Sequence, residues 1–243
     1  MADLRVEAFI IHLKRAEQRR SQVDALVSRL PMPVHIIDAI DGNSLTDATI
    51  QAAYRRQIHK PKYPFELRPA EIACFLSHRK VWQEIADRKL DAGLIVEDDV
   101  EPDDIQFARA FPLVLAAMRP ADYVRFPYRS HSDAGPRLAG SDGVELVEPT
   151  LVGLGMQMQL VGRQAALALL AATECFDRPV DTTIQMRWLI PTRILAVKPP
   201  CIREISDALG GTVVQKKAKP LGEVLARDFK RLVYRLKLRS FNL

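Results

Sequence analysis

Short apolar runs rich in β-branched residues alternate along the chain with longer stretches whose apolar residues recur every three or four positions. VEAFIIHL (6–13) reads as a strand, and the Arg-rich KRAEQRRSQVDALVSRL (14–30) carries helical spacing that stops before Pro31. VHIIDA (34–39) predicts a second strand, which IDG then turns. Residues 43–68 form a polar insert with a short helix expected over 47–58, closed by the Pro-punctuated KPKYPFELRP. Pro69 opens a helix with Glu71 in its first turn, and Ile72, Phe75, Leu76, Val81, Trp82 and Ile85 follow in a mostly helical rhythm. AGLIVE (92–97) is the next strand. After it come a helix over 104–118, a strand over 122–128, a hairpin turned by Asp142-Gly143, a strand over 155–161, helices over 163–173 and 181–189, and a strand over 193–198. Strands that alternate with helices early and pair as hairpins late predict an α/β sandwich around a mixed sheet.

Charge divides the chain. The 243 residues carry a net +5, but residues 215–243 hold 9 Lys/Arg against 2 Asp/Glu, which leaves residues 1–214 slightly acidic. The expected organisation is therefore one domain over 1–214 and a basic tail over 215–243. In that tail Leu221, Leu225, Phe229, Leu232 and Leu236 form one apolar stripe, with Arg227, Lys230, Arg231, Arg235 and Arg239 around it. Such a basic amphipathic helix either packs its stripe on the domain or lies on an anionic membrane. A uniformly basic nucleic-acid-binding domain is a poor fit, and 7% aromatic residues provide no platform for stacking single strands, so no nucleic-acid partner is expected. The start MADLRVEAF lacks the basic-then-apolar pattern of a secretory signal, and a cytoplasmic protein is expected. Cys74, Cys175 and Cys201 show no CxxC or CxxH spacing and read as reduced, mostly buried small residues.

The candidate chemistry gathers at LIVEDDV (94–100), where a buried strand runs straight into Glu97, Asp98 and Asp99. Ligands of open α/β sheets collect beyond the carboxyl ends of strands, and three adjacent carboxylates repel one another unless a positive partner sits among them. A hard divalent cation shared with substrate phosphates is one such partner; a solvated acidic turn needs none. Arg15 and Arg19, four apart on the expected helix, suit an anion at its N-terminus, or are ordinary surface arginines. Ser77 and His78 in CFLSHRKVW are polar groups set among apolar ones on the helix that leads to the acidic strand.

These segments together, FIIHLKRAEQRR, IDAIDG and AEIACFLSHRKVWQEIADRKLDAGLIVEDDV, resemble glycosyltransferase family 25, the lipopolysaccharide and lipooligosaccharide glycosyltransferases related to collagen galactosyltransferases. The family pattern is loosely INLxRxxxR, a VDG turn, EIGCxLSH and then EDD some twenty residues later. MQMQLVGRQAALALL and RPVDTTIQ resemble later family elements more weakly. His12 stands where the family has Asn, and Gln157 and Gln159 stand where it has small residues.

The resemblance implies a GT-A-like single domain with a mixed, mostly parallel sheet flanked by helices, and a basic amphipathic C-terminal helix. It implies transfer of a sugar such as galactose from a UDP-sugar donor to a hydroxyl of a lipopolysaccharide or other glycan or glycolipid acceptor, with inversion. In this sequence EDD stands for the metal-binding DxD element. Asp99, with Asp98, is then the ligand set for Mn²⁺ or Mg²⁺, while Arg15, Arg19, Ser77, His78, Glu97 and Asp98 line the donor site. Asp181, in PVD, is the implied general base, with helix capping as its alternative role. Lipid-linked acceptors favour the membrane reading of the tail, at the cytoplasmic face. A second reading is a degenerate member that binds nucleotide sugar at a membrane without turnover. A nucleotidyltransferase is disfavoured, because no GxxxxGK[ST] loop is present.

Overall fold

The computed structural model describes residues 4–129, 133–210 and 221–242, with backbone alone for 221–227 and 242. In chain order the elements are β1 (Val6–His12), α1 (Arg20–Arg29), β2 (Val34–Asp38), α2 (Asp47–Ala53), α3 (Pro69–Asp87), β3 (Ala92–Glu97), β4 (Val100–Pro102), α4 (Asp104–Ala117) and β5 (Asp122–Arg125). Then follow β6 (Arg137–Ser141), β7 (Val144–Val147), β8 (Met158–Gly162), α5 (Arg163–Ala172), α6 (Val180–Ile184), β9 (Arg193–Lys198), β10 (Ile202–Glu204) and α7 (Leu221–Asn242). Eight strands form one mixed sheet in the order β2-β1-β3-β8-β5-β9-β7-β6. Only β8 and β7 run against the others. The Asp142-Gly143 turn joins β6 to β7 with φ of 50° and 78°, the left-handed pair a two-residue hairpin requires.

Alternate strand residues feed two cores, as the period of two dictates. Phe9, Ile11, Ile95 and Tyr123 face α3, α5 and α6, whereas Ala8, Ile10, Leu94, Val96 and Val124 face α1 and α4. The α/β sandwich expected from the alternation is thus observed, with helices on both faces.

Helix α3 is the element that positions the site. Pro69 occupies its first turn, where a missing N–H is harmless, and the Glu71 carboxylate accepts from Arg68 N at 2.8 Å. Its Ile72, Phe75, Trp82 and Ile85 are fully buried, each contributing about 1.5–3 kcal/mol by leaving water, and Phe75 stacks on Phe176 at 3.8 Å. Gly42 brings the turn after β2 against the start of this helix, since a Cβ there would stand 2.7 Å from Ala70 N.

Several boundaries differ from expectation. The helix predicted over 14–30 begins only at Arg20, after a 3₁₀ turn at Glu17–Arg19, so Arg15 and Arg19 do not share a helical face. The insert helix ends at Ala53 and the late helix at Ile184. Strands β4 and β10, which pair antiparallel, were not anticipated because three-residue strands carry no readable period.

Residues Leu221–Asn242 form helix α7, and its described side chains pack by a face other than the apolar stripe of the sequence. Tyr234 and Leu238 are buried against Met186, while Phe229 is 66% exposed and Leu232 and Leu236 are each 55% exposed. Leu221 and Leu225 lie outside the described side chains, and the 214/215 boundary lies outside the described residues. Among the described residues no helix is long and apolar enough to cross a membrane.

Candidate functional site

Strands β1, β2 and β3 end at one edge of the sheet, where the antiparallel β8 begins and Glu97 N donates to Gln157 O at 2.8 Å. A cavity of about 460 Å³ opens there, within the range of small-molecule sites. Arg15, Arg19, Ser77, His78, Glu97, Asp98 and Asp99 all line it. A second concavity of about 430 Å³, between the β6–β7 hairpin and Pro199-Pro200, contains none of the candidate site residues named in the sequence.

The positive partner of the acidic triplet within the chain is Arg19. Its guanidinium, 4% exposed, donates to Asp98 Oδ1 at 2.5 Å and to Asp99 Oδ2 at 3.2 Å. Burial works against its charge, but the two carboxylates outweigh burial and raise its pKa. The Asp98 Oδ2 atom is 2.7 Å from His12 Nδ1, so Asp98 has a charged or ring-nitrogen partner on each oxygen. Asp98 is thus engaged by both Arg19 and His12, and Arg19 by both Asp98 and Asp99, so the strand end is tied to β1 and to the turn that follows it. His12, set where the family pattern has Asn, reaches Asp98 through its longer ring.

Asp99 differs from Asp98. Its Oδ1 is buried without a hydrogen-bond partner. Burial first, then the Glu97 carboxylate, push its pKa up to about 7 against the opposing effect of Arg19, with Asp98 and Glu204 adding to the rise. A buried acceptor without a donor in a field of negative charge can be met by a proton or by a bound cation.

Glu97 caps the cavity wall formed by α3, with Oε1 3.2 Å from His78 Nε2, and His78 is fully buried. Ser77 is a structural tie more than a ligand contact: its hydroxyl donates to Ala73 O at 2.8 Å and accepts from Ile40 N at 2.9 Å, fixing the turn after β2. Arg15 stands half-exposed on the rim and donates through Nε to Asp41 Oδ2 at 2.6 Å; that bond, joined by the Asn43 amide, lowers the Asp41 pKa.

Asp181 does not line this cavity. Its Oδ1 accepts from Thr182 N at 2.6 Å and its Oδ2 from Gly155 N at 3.2 Å, and burial raises its pKa against those bonds. The N-cap of α6 is Pro179, so Asp181 sits inside the first turn and satisfies a free N–H there, that of Thr182. It is nonetheless close enough to add to the upward shift of the Cys74 thiol, which burial and Glu97 dominate.

Six lining residues with polar side chains were not singled out in the sequence as ligands: Asp41, Asn43, Cys74, Tyr128, Gln157 and Glu204. Asp41 sits in the quoted IDG turn, and Cys74, one helical turn before His78, was within reach of a spacing argument. Cys74 lines the cavity and is exposed as a residue, contrary to the expectation of a buried small residue, although its thiol is enclosed enough for burial to raise its pKa. Glu204 arrives through β10, whose neighbour Ile205 N donates to Asp99 O at 2.8 Å, and no local signal marks it.

The fold is α/β, with a cavity beyond the carboxyl ends of its parallel strands at an acidic strand end, the place where ligands of such sheets collect. Residues 6–122 match the family model described as Glycosyltransferase family 25 (LPS biosynthesis protein). It is 37% identical over 97 residues to human Procollagen galactosyltransferase 2, a match covering 39% of this chain and 16% of that protein. A "Glycosyltransferase 25 family member" of Drosophila pseudoobscura pseudoobscura is 28% identical over 189 residues, covering 75% of this chain and 29% of the relative. Rat "Probable inactive glycosyltransferase 25 family member 3" is 29% identical over 101 residues, covering 40% of this chain and 18% of that protein. The matched segments thus span between 16% and 29% of the length of these relatives.

Proposed function

We propose that this protein is a metal-dependent, GT-A-like glycosyltransferase that moves a sugar, galactose in the first instance, from a UDP-sugar to a hydroxyl of a lipopolysaccharide or other cell-surface glycan, with inversion. The observation that carries the reading is Asp99: a half-buried carboxylate whose Oδ1 is buried without a partner, with a pKa raised to about 7, lining a ligand-sized cavity. This donor chemistry fits a hard divalent cation. Asp99 and Glu97 supply oxygen, and one or two carboxylates completed by substrate phosphates suffice for Mn²⁺ or Mg²⁺. Bound there, the ion supplies charge stabilisation to the departing diphosphate.

The chain's own residues do the rest. Arg19 and His12 hold Asp98 so that the strand end is rigid, and Arg15 on the rim offers a guanidinium to the nucleotide diphosphate. Holding donor and acceptor in line converts much of the entropic barrier into binding. Asp181, with its pKa raised by burial, takes the acceptor proton. A base acts in the transition state, so Asp181→Asn should slow transfer about a hundredfold while donor affinity measured by calorimetry is unchanged. Donor affinity that fell in step with the rate would make Asp181 a binding residue.

Release of UDP from a panel of UDP-sugars, with Mn²⁺ and with EDTA, tests the main reading. EDTA-insensitive turnover would overturn the metal. Absence of turnover with retained donor binding would favour the second reading, a non-catalytic nucleotide-sugar binder, to which the relative named inactive and the neutralising Arg19 lend support.

The partners and location proposed are a glycan or glycolipid acceptor and the anionic cytoplasmic face of a membrane, reached by α7. The exposed Phe229, Leu232 and Leu236 lie among the exposed Lys230, Arg231, Arg235, Lys237 and Arg239. Each basic residue near an anionic surface contributes about 1 kcal/mol. Replacing Phe229, Leu232 and Leu236 together by Ser leaves the docked Tyr234 and Leu238 in place, and should abolish pelleting with anionic vesicles without altering donor hydrolysis. Salt of about 0.5 M should weaken the wild-type interaction through screening. Equal pelleting by the triple variant would remove the membrane role.

A further inference from the structure

We propose that Cys74, His78 and Glu97 form a binding site for a thiophilic divalent cation of the Zn²⁺ type, separate in chemistry from the hard-cation position at Asp99. Among the described residues this is the one group of three His, Cys, Asp or Glu side chains whose ligand atoms all lie within 4.8 Å of one another.

Its geometry follows from the fold. Cys74 and His78 are four apart on α3, so they share one face of the helix and stand one above the other. That face meets the carboxyl end of β3, where the Glu97 carboxylate already lies 3.2 Å from His78 Nε2. Zinc takes sulfur at about 2.3 Å and nitrogen or oxygen at about 2.0–2.2 Å, so two ligand atoms on one ion stand roughly 3.5 Å apart, and small side-chain rotations bring this trio to that spacing. His78 is fully buried and therefore held in orientation by its surroundings, whereas Cys74 opens on the cavity and gives an ion a way in. Three protein ligands leave the fourth tetrahedral position facing the cavity.

The ligand set discriminates between metals. A thiolate with an imidazole favours Zn²⁺ or Co²⁺, while the carboxylates around Asp99 favour Mg²⁺ or Mn²⁺. Binding replaces the Cys74 S–H bond by a sulfur–metal bond and releases the proton to solvent. Glu97 is common to this site and to the donor site proposed above, so on that reading Zn²⁺ competes with the Mn²⁺-supported reaction; the binding itself does not depend on it.

The test is a Co²⁺ titration of the full chain without donor, followed by displacement with Zn²⁺. One Co²⁺ per chain should bind with a sulfur-to-cobalt charge-transfer band in the near ultraviolet. Cys74→Ser should remove the band and weaken Zn²⁺ by at least about 100-fold, with Mn²⁺ affinity unchanged. In the wild-type chain Zn²⁺ should protect Cys74 from alkylation, read by peptide mapping alongside Cys175 and Cys201. A band that persists in Cys74→Ser, or alkylation of Cys74 that Zn²⁺ does not slow, would overturn the proposal. Neither readout involves sugar transfer, so failure here and failure of the glycosyltransferase reading are told apart.

Discussion

Asp99→Asn is expected to reduce sugar transfer by roughly a thousandfold or more while the protein stays folded. The amide keeps the shape of the carboxylate but loses its charge. Losing a metal ligand beside a departing diphosphate removes several kcal/mol of transition-state stabilisation, and each 1.36 kcal/mol is about tenfold in rate. Folding should not suffer, because Asp99 Oδ1 has no partner to lose and Oδ2 has only the 3.2 Å contact with Arg19, whose shorter bond to Asp98 remains. The pH dependence has a definite sign. A carboxyl raised from 3.8 to about 7 binds its proton more tightly when folded, so between those values the folded state holds more protons and stability falls as pH rises. A cation competes with that proton. Mn²⁺ should therefore raise the melting temperature more at pH 7.5 than at pH 5.5, and Asp99→Asn should flatten both the Mn²⁺ effect and this part of the pH profile. Full activity in the variant, or Mn²⁺ stabilisation independent of pH, would refute the assignment.

What was legible in the sequence follows the range of the physical signals involved. Helix α3 was readable because Pro69, Glu71 and a helical rhythm through Ile85 all point to the same element, and β3 because AGLIVE is buried on both faces. The acidic strand end, His78 and the two early arginines were found because they are near one another in the sequence or at spacings the family shares. The internal partner of the triplet was not, since Arg19 and Asp98 are 79 residues apart and only the parallel register of β1 with β3 brings them together. The same limit hid Asp41 as the partner of Arg15, and Glu204, which reaches the cavity through the three-residue pairing of β10 with β4. For α7 the periodicity left open whether the apolar stripe packs on the domain, and the residues that do pack are Tyr234 and Leu238. Tyr234 and Leu238 are buried there because Tyr234 has a polar task that hydrophobic spacing does not encode.

That task is to complete the environment of Arg178, and Arg178→Leu is expected to destabilise the fold by about 3–5 kcal/mol, the range for breaking a buried ion pair from one side. Arg178 and Asp177 are adjacent, both essentially fully buried, and joined by two bonds, Nε to Oδ1 at 2.6 Å and Nη2 to Oδ2 at 3.0 Å. The guanidinium also donates to Tyr234 Oη at 2.6 Å, to His59 O at 3.3 Å and to Pro61 O at 3.1 Å, so one side chain ties α7 and the polar insert to the segment before α6. Leucine would leave Asp177 with a single donor, His59 N at 3.0 Å, and three oxygens without the guanidinium they now receive. In a chain of this size such a loss corresponds to a fall in melting temperature of roughly 6–20 °C. Tyr234→Phe removes only one hydrogen bond and should cost about 1–3 kcal/mol through the donor it leaves unmatched. The paired change Asp177→Leu with Arg178→Leu should recover part of the loss, because no uncompensated charge remains buried. Urea unfolding of the three variants measures the order. An Arg178→Leu midpoint within error of wild type would mean that the docking of α7 and the insert does not depend on this ion pair.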